Sequence, residues 1–141
     1  MTISNGMNKK KLFQTLAHLI FFILIVNFLA HKFYWYSSIW YFDILMHFLG
    51  GLWLGLASIW LFSRQKDFFN LSFGFVLKII LMVFLAGILW ELFEVFFYNY
   101  IARNSFDALD TVSDICFDLA GGIFAIFYFL KIIKFAKKDA I

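Results

Sequence analysis

The sequence predicts an all-α protein, a bundle of four helices that cross a membrane. The chain has 141 residues, of which 64% are hydrophobic, and it contains no proline. Its mean hydropathy is +0.87, whereas soluble domains are only about half apolar. Long apolar runs that are separated by short polar breaks are typical of transmembrane helices. We expect one integral membrane domain over residues 1–141, without a separate soluble domain.

Four segments reach the roughly 20 residues that a helix needs to cross a bilayer. The first follows three lysines, as a signal peptide does, but it lacks a small-residue cleavage motif and is long, so we expect a retained anchor. The other three are longer and are expected to tilt or protrude. The predicted spans are Leu12–Ala30, Ile39–Phe62, Phe73–Tyr98 and Leu109–Phe135.

The basic residues predict how the bundle is oriented. The loop between spans one and two contains Lys32 as its basic residue, and the loop between spans three and four contains Arg103. Both loops are rich in aromatic rings, which favour the membrane interface. The positive-inside rule therefore places both termini and the loop between spans two and three in the cytoplasm. The same clustering makes the net charge of +3 a topology signal and argues against a nucleic-acid partner. The residues on the predicted cytoplasmic side are Lys9, Lys10, Lys11, Arg64, Lys66, Lys78, Lys131, Lys134, Lys137 and Lys138.

Several enzyme classes lack their motifs in this chain. It contains no glycine-rich phosphate loop, no Ser-x-x-Lys and no Gly-x-Ser-x-Gly, so a hydrolase that uses a nucleophilic side chain is not expected. Cys116 is the single cysteine, which excludes an intramolecular disulfide and favours a packing role.

The acidic residues are concentrated in one part of the predicted bundle. Of the nine, two lie on the predicted cytoplasmic side, and the other seven fall in or beside the outer halves of spans two, three and four. Spacings of three or four residues place each set on one face of its helix. The outer set comprises Asp43 on span two, Glu91 and Glu94 on span three, and Asp107, Asp110, Asp114 and Asp118 at or on span four, joined by His47 on span two.

The depth of these residues predicts that they face one another. At a rise of about 1.5 Å per residue, a first tier lies roughly 6–8 Å below the outer ends of the spans, and a second tier lies roughly 10–14 Å down. The first tier is Asp43, Glu94 and Asp114, and the second is His47, Glu91 and Asp118.

Small residues continue the same faces towards the cytoplasm, which predicts close helix packing there. We therefore expect helices that are tight on the cytoplasmic side and splayed and acid-lined on the outer side. The small residues are Gly51, Gly55, Gly87, Gly121, Gly122 and Ala125.

Such a set of carboxylates is costly within a membrane, at about 2.5–3.5 kcal/mol for one unpaired Asp. Protonation, a water-filled cavity or a bound cation would each relieve that cost. Carboxylates with one imidazole suit Mg²⁺, Mn²⁺ or Ca²⁺, and the imidazole also admits Zn²⁺ or Fe²⁺. The predicted metal ligands are Asp43, His47, Glu91, Glu94, Asp110, Asp114 and Asp118.

Three motifs occur in order along the chain, "DILMHFLGG", "GILWELFEVFF" and "DALDTVSDICFDLAGG". Together they resemble the small polytopic membrane proteins grouped as YjdF-like and, more distantly, VanZ-like. Glu94 and Asp118 stand where VanZ-like proteins commonly have Gln and Asn, which favours the YjdF-like side. The resemblance implies a bacterial or archaeal cytoplasmic membrane protein, and it does not imply a particular reaction.

Three functions fit these features. One is a metal-dependent enzyme that acts on a lipid or envelope precursor from the outer leaflet. Another is a transporter or channel for cations or protons, which needs a continuous path to the cytoplasm. The third is a structural or accessory membrane protein in which the acids only hold helices or a partner together.

Overall fold

The computed structural model describes residues 2–62, 72–97 and 107–138, with side chains for residues 9–62, 72–97 and 107–131. Within these ranges the chain is all-helical and contains no strand. The helices are α1 (Thr2–Lys32), the single-turn α2 (Trp35–Ser38), α3 (Phe42–Phe62), α4 (Phe73–Phe97) and α5 (Ala108–Lys138). Four of them, all but α2, are long and apolar enough to cross a membrane, which confirms the predicted helical fold.

The second span begins later than the sequence predicts. Tyr34 adopts a left-handed conformation with φ 57°, and the chain then forms α2 before it extends at Ile39, with φ −124° and ψ 101°. Helix α3 therefore starts at Phe42 and not at Ile39. Its first turn packs against the short helix, because the ring of Phe42 meets the ring of Tyr36 edge-on at 4.9 Å.

The burial pattern is that of a membrane protein. Large apolar side chains such as Phe28 on α1 and Phe127 on α5 are about two-thirds exposed. Polar side chains lie inside, and the most deeply buried of these is Asp114. Soluble proteins keep ionisable groups outside, so this distribution fits a surface that faces lipid.

Helices α3 and α5 form the closest pair. A Cβ atom on Gly51 would overlap the backbone carbonyl of Asp118, and one on Gly121 would overlap the carbonyl oxygen of Phe48. Four residues along α3, a Cβ on Gly55 would lie 2.7 Å from the Cβ of Ala125. Only glycine permits this approach of two backbones, as in other small-residue interfaces between membrane helices.

An apolar core fills the bundle towards the end where α3 ends and α4 begins. Leu56 and Ile59 of α3 contact Ile79 of α4 and Phe129 of α5, and all four are at least 98% buried. Helix α1 joins this core through buried leucines and is fastened to α3 by the indole of Trp53.

Part of the charge pattern that predicts the orientation lies outside the described residues. Arg64, Lys66 and Arg103 belong to undescribed segments, and the side chains of the last lysines of α5 are not described either. Both the cytoplasmic placement of the termini and the assignment of residues 1–141 to one domain stay predictions.

Candidate functional site

His47 lies at the centre of the polar cluster and contacts carboxylates from two helices. Its Nε2 atom is 3.9 Å from Asp43 Oδ1 and 3.8 Å from Asp114 Oδ2, and its Nδ1 atom is 3.5 Å from Asp118 Oδ1. The imidazole is buried. Asp43 lies one turn before His47 on α3, whereas the other two aspartates reach it from α5. Both ring nitrogens therefore face an acid, and the contacts link the two predicted tiers.

The potential ligand atoms converge in two groups among the described residues. Asp43, His47 and Asp114 form one, and His47, Glu91 and Glu94 form the other, with the atoms of each within 4.8 Å of one another. An ion that binds its ligands at about 2.1–2.4 Å spans at most about 4.2–4.8 Å between two of them. Because His47 belongs to both groups, the two groups adjoin at its imidazole, one formed by α3 and α5 and the other by α3 and α4.

Two of these carboxylates are buried without hydrogen-bond partners for some of their oxygens. Both oxygens of Asp114 and Oε1 of Glu91 are inaccessible and accept no hydrogen bond, and the two residues are 1% and 5% exposed. In the described part of the chain, His47 is the salt-bridge partner of Asp43, Asp114 and Asp118, and no lysine or arginine pairs with the clustered carboxylates. Buried ionised groups of this kind need a cation or a proton to offset the lost hydration.

Asp118 occupies a position unlike that of Asp114, although both lie on one face of α5. Its Oδ2 atom would be 2.8 Å from a Cβ on Gly87 of α4, and its Oδ1 atom would be 3.9 Å from a Cβ on Gly50 of α3. Because glycine has no side chain, these two positions leave the space between α3 and α4 that the Asp118 carboxylate fills. Asp118 meets His47 from the ring edge opposite to Asp43 and Asp114.

The structure places Asp110 and Asp107 at the margin of the cluster. Asp110 is exposed, and neither group of converging ligand atoms includes it. Asp107 caps α5, since its Oδ1 accepts hydrogen bonds from the backbone amides of Leu109, at 2.9 Å, and Asp110, at 3.4 Å. An aspartate just before an apolar helical run is a typical N-cap signal, which supports a structural role for Asp107.

Sequence reasoning missed two contributors to the cluster. The side chain of Thr111 lies within hydrogen-bonding reach of the Glu91 carboxylate, and Gly50 borders Asp118. Thr111 lies three residues before Asp114 on the acidic face of α5, so helical spacing is a signal that can find it. Gly50 precedes the small-residue face by one position, and only the observed rotation of α3 brings it to Asp118.

The cluster is separated from the far end of the bundle by the glycine contacts and the apolar core. Gly51 and Gly121 meet the opposite helix at the level of Asp118 and one turn beyond it. The core around Leu56, Ile59 and Phe129 follows. Beyond Asp118, Ser58 is the one buried polar side chain among the described residues, so these residues provide no continuous chain of polar side chains to the end of α3.

These features define a class of protein, a helical membrane protein with a histidine–carboxylate cluster buried among three of its spans. Residues 4–134 match the family described as "Predicted membrane protein (DUF2238)", and the chain belongs to that family. Neither a curated protein nor a solved structure shows significant similarity to the chain.

Proposed function

We propose that the chain is a membrane-embedded metalloprotein that binds one divalent cation at His47 and acts on a lipid or envelope precursor. The observation that carries the proposal is that two buried carboxylates, Asp114 and Glu91, have oxygens that accept no hydrogen bond. Each belongs to a group of ligand atoms that converges on His47. A cation held between these groups would supply the partners that the buried oxygens lack.

The five side chains of the two groups are the candidate ligands. His47 contributes an imidazole nitrogen, and the ion would lie either with Asp43 and Asp114, which approach the Nε2 edge, or with Glu91 and Glu94 of α4, because the ligand atoms converge within each group. One nitrogen with several carboxylate oxygens suits Mn²⁺, Fe²⁺ or Zn²⁺, and the carboxylates alone also suit Mg²⁺ or Ca²⁺. Such an ion polarises a phosphoryl oxygen or lowers the pKa of a bound water.

Asp118 has a different part in the proposed site, that of orienting His47. It contacts Nδ1, while the two aspartates of the ligand set approach Nε2. A carboxylate that accepts a hydrogen bond from one ring nitrogen leaves the lone pair of the other nitrogen free for a metal. Asp110, which the sequence predicts as a ligand, is exposed and is proposed to act only through its charge.

The setting of the site supports action from the outer leaflet of a bacterial or archaeal cytoplasmic membrane. Of the described lysines, only Lys32 lies at the end of the bundle that carries the acids, and the other five lie towards the opposite end, a bias that fits the positive-inside rule if that end is cytoplasmic. The motifs that carry the acids also support a relationship to the YjdF-like and VanZ-like proteins. Transport of cations or protons is less favoured, because the described residues beyond Asp118 form an apolar core in which Ser58 is the one buried polar side chain.

Metal content tests the proposal directly. Purified protein is loaded with each of the five ions and dialysed, and bound metal is measured by mass spectrometry. We expect about one ion per chain in the wild type and a loss of stoichiometric binding in the double variant Glu91→Gln and Asp114→Asn. Asp110→Asn is the matched control, because it makes the same chemical change one turn from Asp114, and it should keep the ion.

The role of Asp118 is tested by affinity and not by stoichiometry. Losing the partner of a metal-binding histidine typically weakens binding by about 10–100-fold, so Asp118→Asn should still bind one ion with affinity reduced to that extent. If no ion binds the wild type and the double variant is as stable as the wild type, the cluster holds no metal and the proposal is wrong. A flux of cations through proteoliposomes that the double variant abolishes would favour the transporter instead.

A further inference from the structure

A second polar feature lies at the opposite end of the bundle, between α1 and α3. A shallow cavity of about 400 Å³, open to the surroundings over most of its area, lies there and is lined by Lys9, Lys10, Phe13 and Trp60. None of these residues belongs to the acidic cluster, so the cavity and the proposed metal site are independent.

The walls of the cavity are fixed by contacts between the two helices. The rings of Phe13 and Trp60 lie 5.7 Å apart. Two turns before Trp60 on α3, the indole of Trp53 donates a hydrogen bond of 3.1 Å to the carbonyl oxygen of Leu16 on α1. Beneath these residues, the buried Leu12 packs in the apolar core with residues of α3. The aromatic side of the cavity is therefore held in place by packing on both helices.

The position and charge of the cavity match the headgroup region of a membrane. Lys9 and Lys10 come just before the apolar run of α1, which begins at Leu12, and Trp60 lies near the end of α3, which ends at Phe62. Two ammonium groups thus stand where hydrocarbon gives way to headgroups, beside aromatic rings that favour that interface. A phospholipid headgroup is of the scale of this volume and would lie against the open cavity from one side.

We propose that this cavity binds the headgroup of an anionic phospholipid, with Lys9 and Lys10 at its phosphate and the rings of Phe13 and Trp60 against its glycerol and upper acyl chain. On this predicted cytoplasmic side the sequence places ten basic residues and two acidic ones, Asp67 and Asp139, so the net charge at this end favours an anion. The acyl chains would continue along the exposed apolar surface of α1, where Phe21 and Ile25 face outward.

Lipid retention measured by native mass spectrometry tests this site. Purified protein in detergent is titrated with phosphatidylglycerol, or with phosphatidylcholine of the same acyl chains, and bound lipid is counted. We expect the wild type to retain phosphatidylglycerol in preference. A lysine near a membrane surface contributes about five-fold to anionic-lipid binding, so Lys9→Gln with Lys10→Gln should lower affinity roughly ten- to thirty-fold.

The matched control removes two charges from the same end of the bundle without touching the cavity. Lys78 and Lys131 are exposed and do not line it, so Lys78→Gln with Lys131→Gln should change affinity by less than about three-fold. Equal losses in the two double variants would show attraction by general positive charge and overturn the site. Displacement of the lipid by excess inorganic phosphate would identify a free phosphate ligand instead, and equal retention of both lipids would also contradict the proposal.

Discussion

Replacing Gly51 by alanine tests the closest contact in the bundle. The new methyl carbon would lie 2.6 Å from both the Cα and the carbonyl carbon of Asp118. Carbon atoms normally rest about 3.5–4.0 Å apart, so α3 and α5 would have to separate by roughly 1 Å. Because the obstructing atoms belong to the backbone, no change of side-chain rotamer can relieve the overlap.

The magnitude follows from two opposing terms. Overpacking of a well-packed interior costs about 1–3 kcal/mol, and a clash with backbone belongs at the upper end of that range. Alanine is more favourable than glycine in a helix by about 1 kcal/mol. We therefore expect Gly51→Ala to lower the free energy of unfolding by about 2 kcal/mol.

The matched control is Gly74→Ala on α4, where a Cβ would meet no atom within 4 Å. This variant gains helix propensity without a clash, so it should be neutral or more stable by up to about 1 kcal/mol. Unfolding by sodium dodecyl sulfate in mixed micelles, followed by tryptophan fluorescence and circular dichroism, compares the two. If Gly51→Ala unfolds at the same detergent fraction as Gly74→Ala, the helices do not approach as closely as described here.

Three further predictions use the same unfolding assay. Phe129→Ala should destabilise the protein by about 3–5 kcal/mol, because the ring is buried in the core and only 1% exposed. The ring of Phe127 is 65% exposed, so Phe127→Ala should change stability much less. Equal effects of the two variants would show that Phe129 does not lie in the core. Trp53→Phe removes the hydrogen bond to the Leu16 carbonyl oxygen and should cost about 0.5–1.5 kcal/mol, a loss whose absence would show that this bond does not fasten α1. Chelation of a bound ion should lower wild-type stability by about 2.7 kcal/mol when the ion had been present at 100 times its Kd. The stability of Asp114→Asn should not change when the chelator is added. A wild-type stability that changes with neither the ion nor the chelator would contradict the metal site.

The fold was predictable because its signals are local. The apolar runs and the absence of proline predict long helices, and the bilayer thickness sets their length. The start of α3 was not predictable to the residue, since Ile39 belongs to an apolar run and yet is extended. The left-handed turn at Tyr34 has no sequence marker, because residues other than glycine rarely adopt a positive φ.

The candidate site was predictable only as a set of helix faces. Spacing places Asp110, Asp114 and Asp118 on one face of α5, but the structure gives them three different settings. Asp110 is exposed, Asp114 is buried with unpartnered oxygens, and Asp118 fills a space beside glycine. These differences depend on the depth at which α3 and α4 cover α5, which the sequence of one helix does not encode.

The sequence by itself determined the helical membrane fold and the side of each helix that carries acids, because hydropathy and the 3.6-residue period depend only on residue order. Only the tertiary structure decided that His47 stands at the centre, with Nε2 towards Asp43 and Asp114 and Nδ1 towards Asp118. That arrangement arises where the glycines let α3 and α5 touch backbone to backbone. The contact sets the rotation and register of the two helices, and therefore which carboxylates meet the imidazole.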